Sequence, residues 1–379
     1  MIKKLNCYSN FNRAIPILAK FRYTSILKEY IYYMGKSYSK YLPVFIGVLL
    51  LSISITSCRK DKATGPTGPK PLATIGLYEQ LVDTVYRRVY IAISKVGNTS
   101  TNYYGIFDTG STGLTIDANG LIPASMITSS GIQVTGDSVN VNGITITSHT
   151  AIIKYGDISS ETDEYGNLAY TTVTVGDQNG SITTTRIPIF LYYKIVNKTT
   201  GATYPAHSND VFGVGPGTSP VNSAIGSPLS YFKTSAGVTS GFKLAMFNSS
   251  QFTGAGNYVS GLLTIGLVPN DLSSAGFIMH PLTFYATGGY SPDISGTVSY
   301  NGKSIPATLL FDTGTPSVTI VEDNTATSAG NLPANSVITL TTNNGFSYSY
   351  TTSRTYNLTM IGKPSVTGDP RTIYSIDFF

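Results

Sequence analysis

Ile106-Phe107-Asp108-Thr109-Gly110-Ser111 and Leu310-Phe311-Asp312-Thr313-Gly314-Thr315 are two versions of one hexapeptide, 204 positions apart in a chain of 379 residues. Each has two apolar residues, then Asp-Thr-Gly, then a hydroxyl residue. An apolar run ending this way is expected to be a buried strand that stops at a tight turn, with the glycine supplying backbone freedom. Such a position sets a carboxylate on a rigid scaffold at its exposed end, where reactive groups are commonly presented. Two carboxylates brought face to face cannot both ionise cheaply, so they share a proton. One is then a general base for water and the other a general acid. On this reading Ser111 and Thr315 offer hydroxyls to the outer carboxylate oxygens, and Thr109 and Thr313 tie the turns together from beneath. A single copy would be as readily an ordinary hairpin turn in a chain so rich in Thr and Gly. Two copies favour a shared site.

The order of the segments around these motifs resembles that of the bilobal, pepsin-like aspartic proteases. Lys154-Tyr155-Gly156-Asp157 resembles the hairpin flap that follows the first aspartate in that family, and residues 168–176 (LAYTTVTVG) resemble its next strand. Asp210-Val211-Phe212-Gly213-Val214-Gly215 is similar to the family's apolar-Gly segment. Gly261-Leu262-Leu263-Thr264-Ile265-Gly266 is similar to the strand that opens its second lobe. Pro281-Leu282 and a strand at 294–300 follow in the same order, so the likeness is collinear over residues 73–323. It implies an all-β, bilobal fold, with two related β-barrel-like lobes and a cleft between them. It implies Asp108 and Asp312 as the catalytic pair, supported by Thr109, Gly110, Ser111, Thr313, Gly314 and Thr315. It also implies Tyr155 and Gly156 as a flap over a polypeptide substrate, with no cofactor and no covalent intermediate.

The chain departs from the family at four places. Thr115 stands where a Trp is common, and the chain has no Trp at all. Asp157 replaces a small or hydroxyl residue beside the flap tyrosine, and Pro316 follows Thr315. Only 67 residues follow Asp312, which implies a second lobe short of closing strands. The last six residues, Tyr374-Ser375-Ile376-Asp377-Phe378-Phe379, resemble the start of the second apolar-Gly segment, with Ser375 in the Gly place. A second Asp loop with reduced support is the expectation.

Composition agrees with a β-rich extracellular protein: 12% of residues are charged, while Ser, Thr, Gly, Asn and Tyr abound. The net charge of +5 comes from residues 1–57, which hold eight Lys/Arg and one Glu. The remainder has 17 basic and 19 acidic residues, so no basic patch points to nucleic acid. His149, His207 and His280 are scattered without ligand spacing, so no metal site is expected. No nucleophile elbow, phosphate loop or dinucleotide fingerprint occurs, and the Gly-rich run 213–217 reads as structural.

Residues 1–57 read as a leader, with a better start at Met34. Lys36 and Lys40, an apolar stretch at 42–55 and the ending Ile55-Thr56-Ser57-Cys58 describe a secretory signal rather than a spanning helix. The ending resembles a bacterial lipoprotein signal, with Cys58 lipidated after cleavage. The alternative is a short membrane anchor with an incidental Cys. Either way the rest is expected to be exported and held at a bacterial cell envelope, at the outer membrane or cell surface. Cys7 and Cys58 are the only cysteines, so removal of the leader leaves no internal disulfide. This too resembles a bacterial member.

Residues 58–72 read as a flexible Gly/Pro tether. Residues 73–238 read as the N-terminal lobe and 239–379 as the C-terminal lobe of a monomer. Strands are expected at 89–94, 103–107, 132–141, 144–154 and 168–175, from their Val, Ile, Thr and Tyr content and the turns between them. The best helical segment is 227–233. Two other functions stay open: a pepsin-like scaffold that is an inactive binding or structural lipoprotein, and a Ser/Thr-rich sandwich that binds glycans. The second does not account for the paired motifs.

Overall fold

The computed structural model describes residues 2–3, 68–156, 161–273 and 276–379, and Pro69–Phe379 fall in one structural unit. The leader at 34–57, Cys7, Cys58, most of the tether and Asp157 lie outside the described residues. Strands dominate the remainder, and the fold is all-β and bilobal. Helices are single turns; the expected one at 227–233 is a 3₁₀ turn at Pro228–Tyr231. Among the described residues no helix is long and apolar enough to cross a membrane.

Local sequence explains the strand boundaries. Ser138–Val141 and Ile144–Tyr155 are joined by Asn142 (φ 52°) and Gly143 (φ 77°). Two successive positive φ values make a primed turn, whose twist matches that of the paired strands. The single strand expected at 132–141 is instead two, Gly131–Ile132 and Ser138–Val141, because the chain turns at Gly136 (φ 71°). The strand expected at 168–175 is also divided. Thr162–Thr171 pairs with the flap strand, whereas Val173–Asp177 crosses to pair with Arg87–Val96.

The two lobes repeat one topology. In the first, Val211–Val214 runs parallel to Thr99–Asp108 and antiparallel to Thr112–Asp117, which in turn lies parallel to Ile187–Asn197. In the second, Thr372–Tyr374 runs parallel to Lys303–Phe311 and antiparallel to Val318–Glu322, which lies parallel to Leu358–Gly362. The register corresponds residue by residue: Phe212 sits opposite Phe107, and Tyr374 opposite Phe311.

The first sheet does not end at the lobe boundary drawn from sequence. Ala73–Leu81 pairs with Asn257–Leu267, which pairs with Thr239–Leu244, so residues beyond 238 extend the sheet of the first lobe. Their alternating apolar residues, Leu263 and Ile265 among them, join the larger core with Leu77 and Phe107. A second core gathers Leu309, Val321, Leu340 and Tyr374, and a third lies under the flap hairpin around Ile153, Phe190 and Tyr192. Burying each of the Leu, Ile, Val and Phe side chains among them contributes roughly 1.5–3 kcal/mol. Near the end of the chain, Ile376 joins the first core and Phe378 packs on the second.

Candidate active site

The two central strands end at the two aspartates. Thr99–Asp108 carries Asp108 as its last residue, and Lys303–Phe311 stops one residue before Asp312. Each strand end is braced by an aromatic pair from its parallel neighbour: Phe107 on Phe212 and Phe311 on Tyr374, each stacked at an interplanar angle of 19°.

Beneath the aspartates the threonines lock the loops reciprocally. The Thr109 N–H donates to Thr313 Oγ1 at 3.1 Å, and the Thr313 N–H to Thr109 Oγ1 at 3.0 Å. Each hydroxyl then donates across to the other strand, Thr109 to the Phe311 carbonyl at 2.8 Å and Thr313 to the Phe107 carbonyl at 2.6 Å. The hydroxyls expected to hold the carboxylates do so. Ser111 Oγ donates to Asp108 Oδ2 and Thr315 Oγ1 to Asp312 Oδ2, both at 2.6 Å. The Gly110 and Gly314 N–H groups hold the two Oδ1 atoms, both at 2.7 Å.

The glycines of the motif serve another purpose than the one expected. Neither Gly110 nor Gly314 has a positive φ. A Cβ on Gly110 would instead lie 2.6 Å from Asp312 Oδ1, and one on Gly314 2.7 Å from Asp108 Oδ1. Each glycine leaves room for the carboxyl of the opposite loop. The two carboxyls therefore face each other at the junction of the lobes, close enough for a hydrogen bond between them.

Asp108 is 8% exposed. Burial raises its carboxyl above the ordinary range, and the charge of Asp312 and the hydrogen bond with it push the same way. The Ser111 hydroxyl and Gly110 N–H oppose that shift without cancelling it. Such a pair holds one proton in common over a wide pH range.

A cleft of about 1540 Å³ opens over the pair. Tyr155, Gly156 and Glu164 line it from the first lobe, and Ile373, Arg371 and Glu322 from the second. Gly156 turns the flap hairpin with φ 88°. The Tyr155 phenol lies beside the hydroxyls of Ser111 and Thr115, and burial raises it well above its usual value. Thr115, in the place where the resemblance implies a Trp, thus still contacts the flap tyrosine.

Support for the second loop comes partly from residues the sequence reading passed over. Arg88 donates to the Gly314 carbonyl. Its neighbour Arg87 is buried and donates from Nη1 to Asp377 Oδ1 at 3.1 Å and from Nη2 to the Thr355 carbonyl, also at 3.1 Å. The Tyr356 ring lies 4.2 Å from its guanidinium. Two consecutive arginines on a first-lobe strand therefore hold the second lobe. Among Lys/Arg scattered through strands, nothing local marks them; only long-range pairing does.

The C-terminal residues also bear on that loop. The Asp312 N–H donates to the Tyr374 carbonyl at 2.9 Å, and Ser375, fully buried, follows in the register position that Gly213 holds beside Asp108. The expected weak support of the second loop is not what the hydrogen bonds give. On the first-lobe side Asp210 anchors the base of the site, accepting from the Asp117 N–H at 2.9 Å and the Tyr192 hydroxyl at 2.8 Å, with His207 Nδ1 2.8 Å away. The Gly-rich run is structural, since a Cβ on Gly213 or Gly215 would strike Ser111 at 2.8 or 2.7 Å.

No family model matches the chain, and no curated protein matches it. Among solved structures the chain is similar to an aspartic proteinase from Irpex lacteus. The identity is 16% and the TM-score 0.48, over 81% of this chain and 91% of that one.

Proposed function

We propose that this protein is an exported, lipid-anchored aspartic endopeptidase that hydrolyses peptide bonds within extended polypeptides. The observation that carries the reading is the mirrored pair of Asp-Thr-Gly loops, each leaving room at its glycine for the other's carboxyl. Such interlocking has no use in a turn that only connects strands.

The pair holds one proton in common; with that proton on Asp108, Asp312 is the base. As the water oxygen bonds to the peptide carbonyl carbon, Asp312 takes a proton from the water and Asp108 gives its own to the carbonyl oxygen. On collapse of the tetrahedral diol, the C–N bond breaks. The amine then leaves with the proton from Asp312, and a diol hydroxyl returns one to Asp108. Tyr155 closes over the cleft and excludes water from the reacting bond. Export and anchoring rest on the basic, apolar and Ile-Thr-Ser-Cys segments at 34–58, with Cys58 carrying the lipid.

The test is cleavage of an unfolded protein substrate from about pH 3 to 7, a range that brackets a shared-proton carboxyl pair. Asp108→Asn and Asp312→Asn, checked for folding, are expected to lose it. A folded wild type that cuts nothing at any pH would overturn the reading. Metabolic labelling with a radioactive fatty acid tests the anchor separately, and label should enter the wild type but not Cys58→Ala.

A further inference from the structure

One buried acid in the cleft has no task in the chemistry above. Glu164 stands opposite Ile153 in the flap hairpin, and Thr162 stands opposite Tyr155. Directly opposed residues of an antiparallel pair share a face, as do residues two apart on one strand. Glu164 and Tyr155 are therefore diagonal neighbours on one face of the hairpin, and all four of these residues line the cleft. Glu164 is 0% exposed, and neither carboxyl oxygen has a hydrogen-bond partner. The Thr115 hydroxyl, also buried, lies beside both the Glu164 carboxyl and the Tyr155 phenol, though without an aligned hydrogen bond. An acid so placed, next to a residue that closes over substrate, is poised to complete its contacts when the flap moves.

We propose that Glu164, together with Thr115, is a positioning residue that holds Tyr155 over the Asp108–Asp312 pair, a role that rests on the peptidase reading. Burial keeps the Glu164 carboxyl well above the ordinary range, the Thr115 hydroxyl opposing this and the charges of Asp210 and Asp117 adding to it. The groups facing Glu164 are Tyr155 on the flap strand, Tyr192 on Ile187–Asn197, Thr115 and Asp117 on Thr112–Asp117, and Asp210, itself paired with His207. In its neutral form Glu164 can donate one hydrogen bond and accept others, which suits a phenol and a hydroxyl together. Once ionised it only accepts, and it is repelled by Asp117 and Asp210. Rising pH therefore loosens the flap.

Backbone amide exchange over residues 150–156 and 162–168, corrected for its chemical dependence on pH, tests this beside peptide cleavage. The full chain is compared with Glu164→Gln and Glu164→Ala. Wild-type protection should fall as pH rises above the ordinary glutamate range and the carboxyl ionises, while Glu164→Gln, a permanently neutral mimic, keeps its protection. Glu164→Ala should be poorly protected at every pH and raise KM more than it lowers kcat. The proposal is overturned if wild type and Glu164→Gln share one pH profile of protection, or if Glu164→Ala matches the wild type in protection and KM. If the expected exchange pattern occurs in a chain that cleaves nothing, the peptidase reading fails and the positioning of Tyr155 stands.

Discussion

In the first Asp-Thr-Gly loop the Ser111 N–H reaches Asp108 Oδ1 at 3.0 Å, whereas in the second the Thr315 N–H turns back to the main-chain oxygen of Asp312 at 3.4 Å. The difference continues along the chain. At the fifth position after each aspartate the backbone has positive φ, at Gly113 (103°) and Ser317 (51°). Glycine adopts that conformation freely, but serine does so at a cost of about 1–2 kcal/mol. The second loop offsets that cost from the other lobe. Ser317 Oγ accepts the Arg87 N–H at 3.0 Å, and Arg88 holds the Gly314 carbonyl. Two loops with the same sequence motif thus reach the same carboxyl geometry by different means. The first is held by its own backbone and the second by two arginines. The charge balance differs likewise. Buried Glu79 and Glu164 have no hydrogen-bond partner in the first lobe; in the second Glu322 has none either, but Asp323 and Asp369 are paired with Lys303 and Arg371.

Arg87→Ala should break this arrangement most severely. It leaves Asp377 buried without its cation, and losing one partner of a buried pair costs about 3–5 kcal/mol. Urea denaturation reads this directly. A loss below about 1 kcal/mol would mean that the second loop stands without Arg87.

The unpartnered buried acids, Glu79 and Glu164 in the first lobe and Glu322 in the second, set the pH dependence. Burial pushes the Glu79 carboxyl up to about 7, above its ordinary value. Its ionisation therefore opposes folding: stability is full below the ordinary value and falls as pH climbs through about 7. Asp108, Glu164 and Glu322 act in the same direction, against the lowered Asp323, Asp271 and Asp369. Glu79→Gln is expected to flatten the decline by about 2 kcal/mol near neutral pH, read from thermal unfolding across pH. An unchanged pH profile would count against a buried, uncompensated Glu79.

Thr109→Val and Thr313→Val probe the lock common to both loops. Each substitution leaves one N–H and one carbonyl of the other strand without a partner, at about 1–2 kcal/mol. The loss should be greater for Thr313, which is fully buried, and activity should fall in both as the carboxyls drift apart. Ser317→Gly should have the smallest effect, a net loss under about 1 kcal/mol. It relieves the positive φ but strands the Arg87 N–H.

The parts of the site that lie in contiguous sequence were legible. Both aspartates, the threonine lock, the Ser111 and Thr315 hydroxyls and the flap tyrosine all follow from two hexapeptides and one hairpin. The order of the strands and the all-β class were legible as well, because Val, Ile, Thr and Tyr runs alternate with turn residues. The reason for Gly110 and Gly314 was not, since what a Cβ would strike belongs to a loop 200 or so residues away. Arg87, Arg88 and Glu164 were hidden for a similar reason. An Arg or Glu in an alternating strand reads as a solvated position; the packing of one lobe on the other engages the two arginines, and neighbouring strands of the first lobe bury Glu164. The sheet that runs through residues 238 and 239 was equally invisible, because strand pairing does not respect the order of motifs along the chain.

On the peptidase reading Asp108 and Asp312 act as one catalytic unit. This is tested most directly by kcat/KM for peptide cleavage in the wild type, Asp108→Asn, Asp312→Asn and the double variant, each shown to be folded. Groups that share one proton and one water fail together, so each single variant should lose about as much as the double, on the order of 10³-fold or more. Losses that multiply in the double variant, or one single variant that still cleaves, would contradict the account.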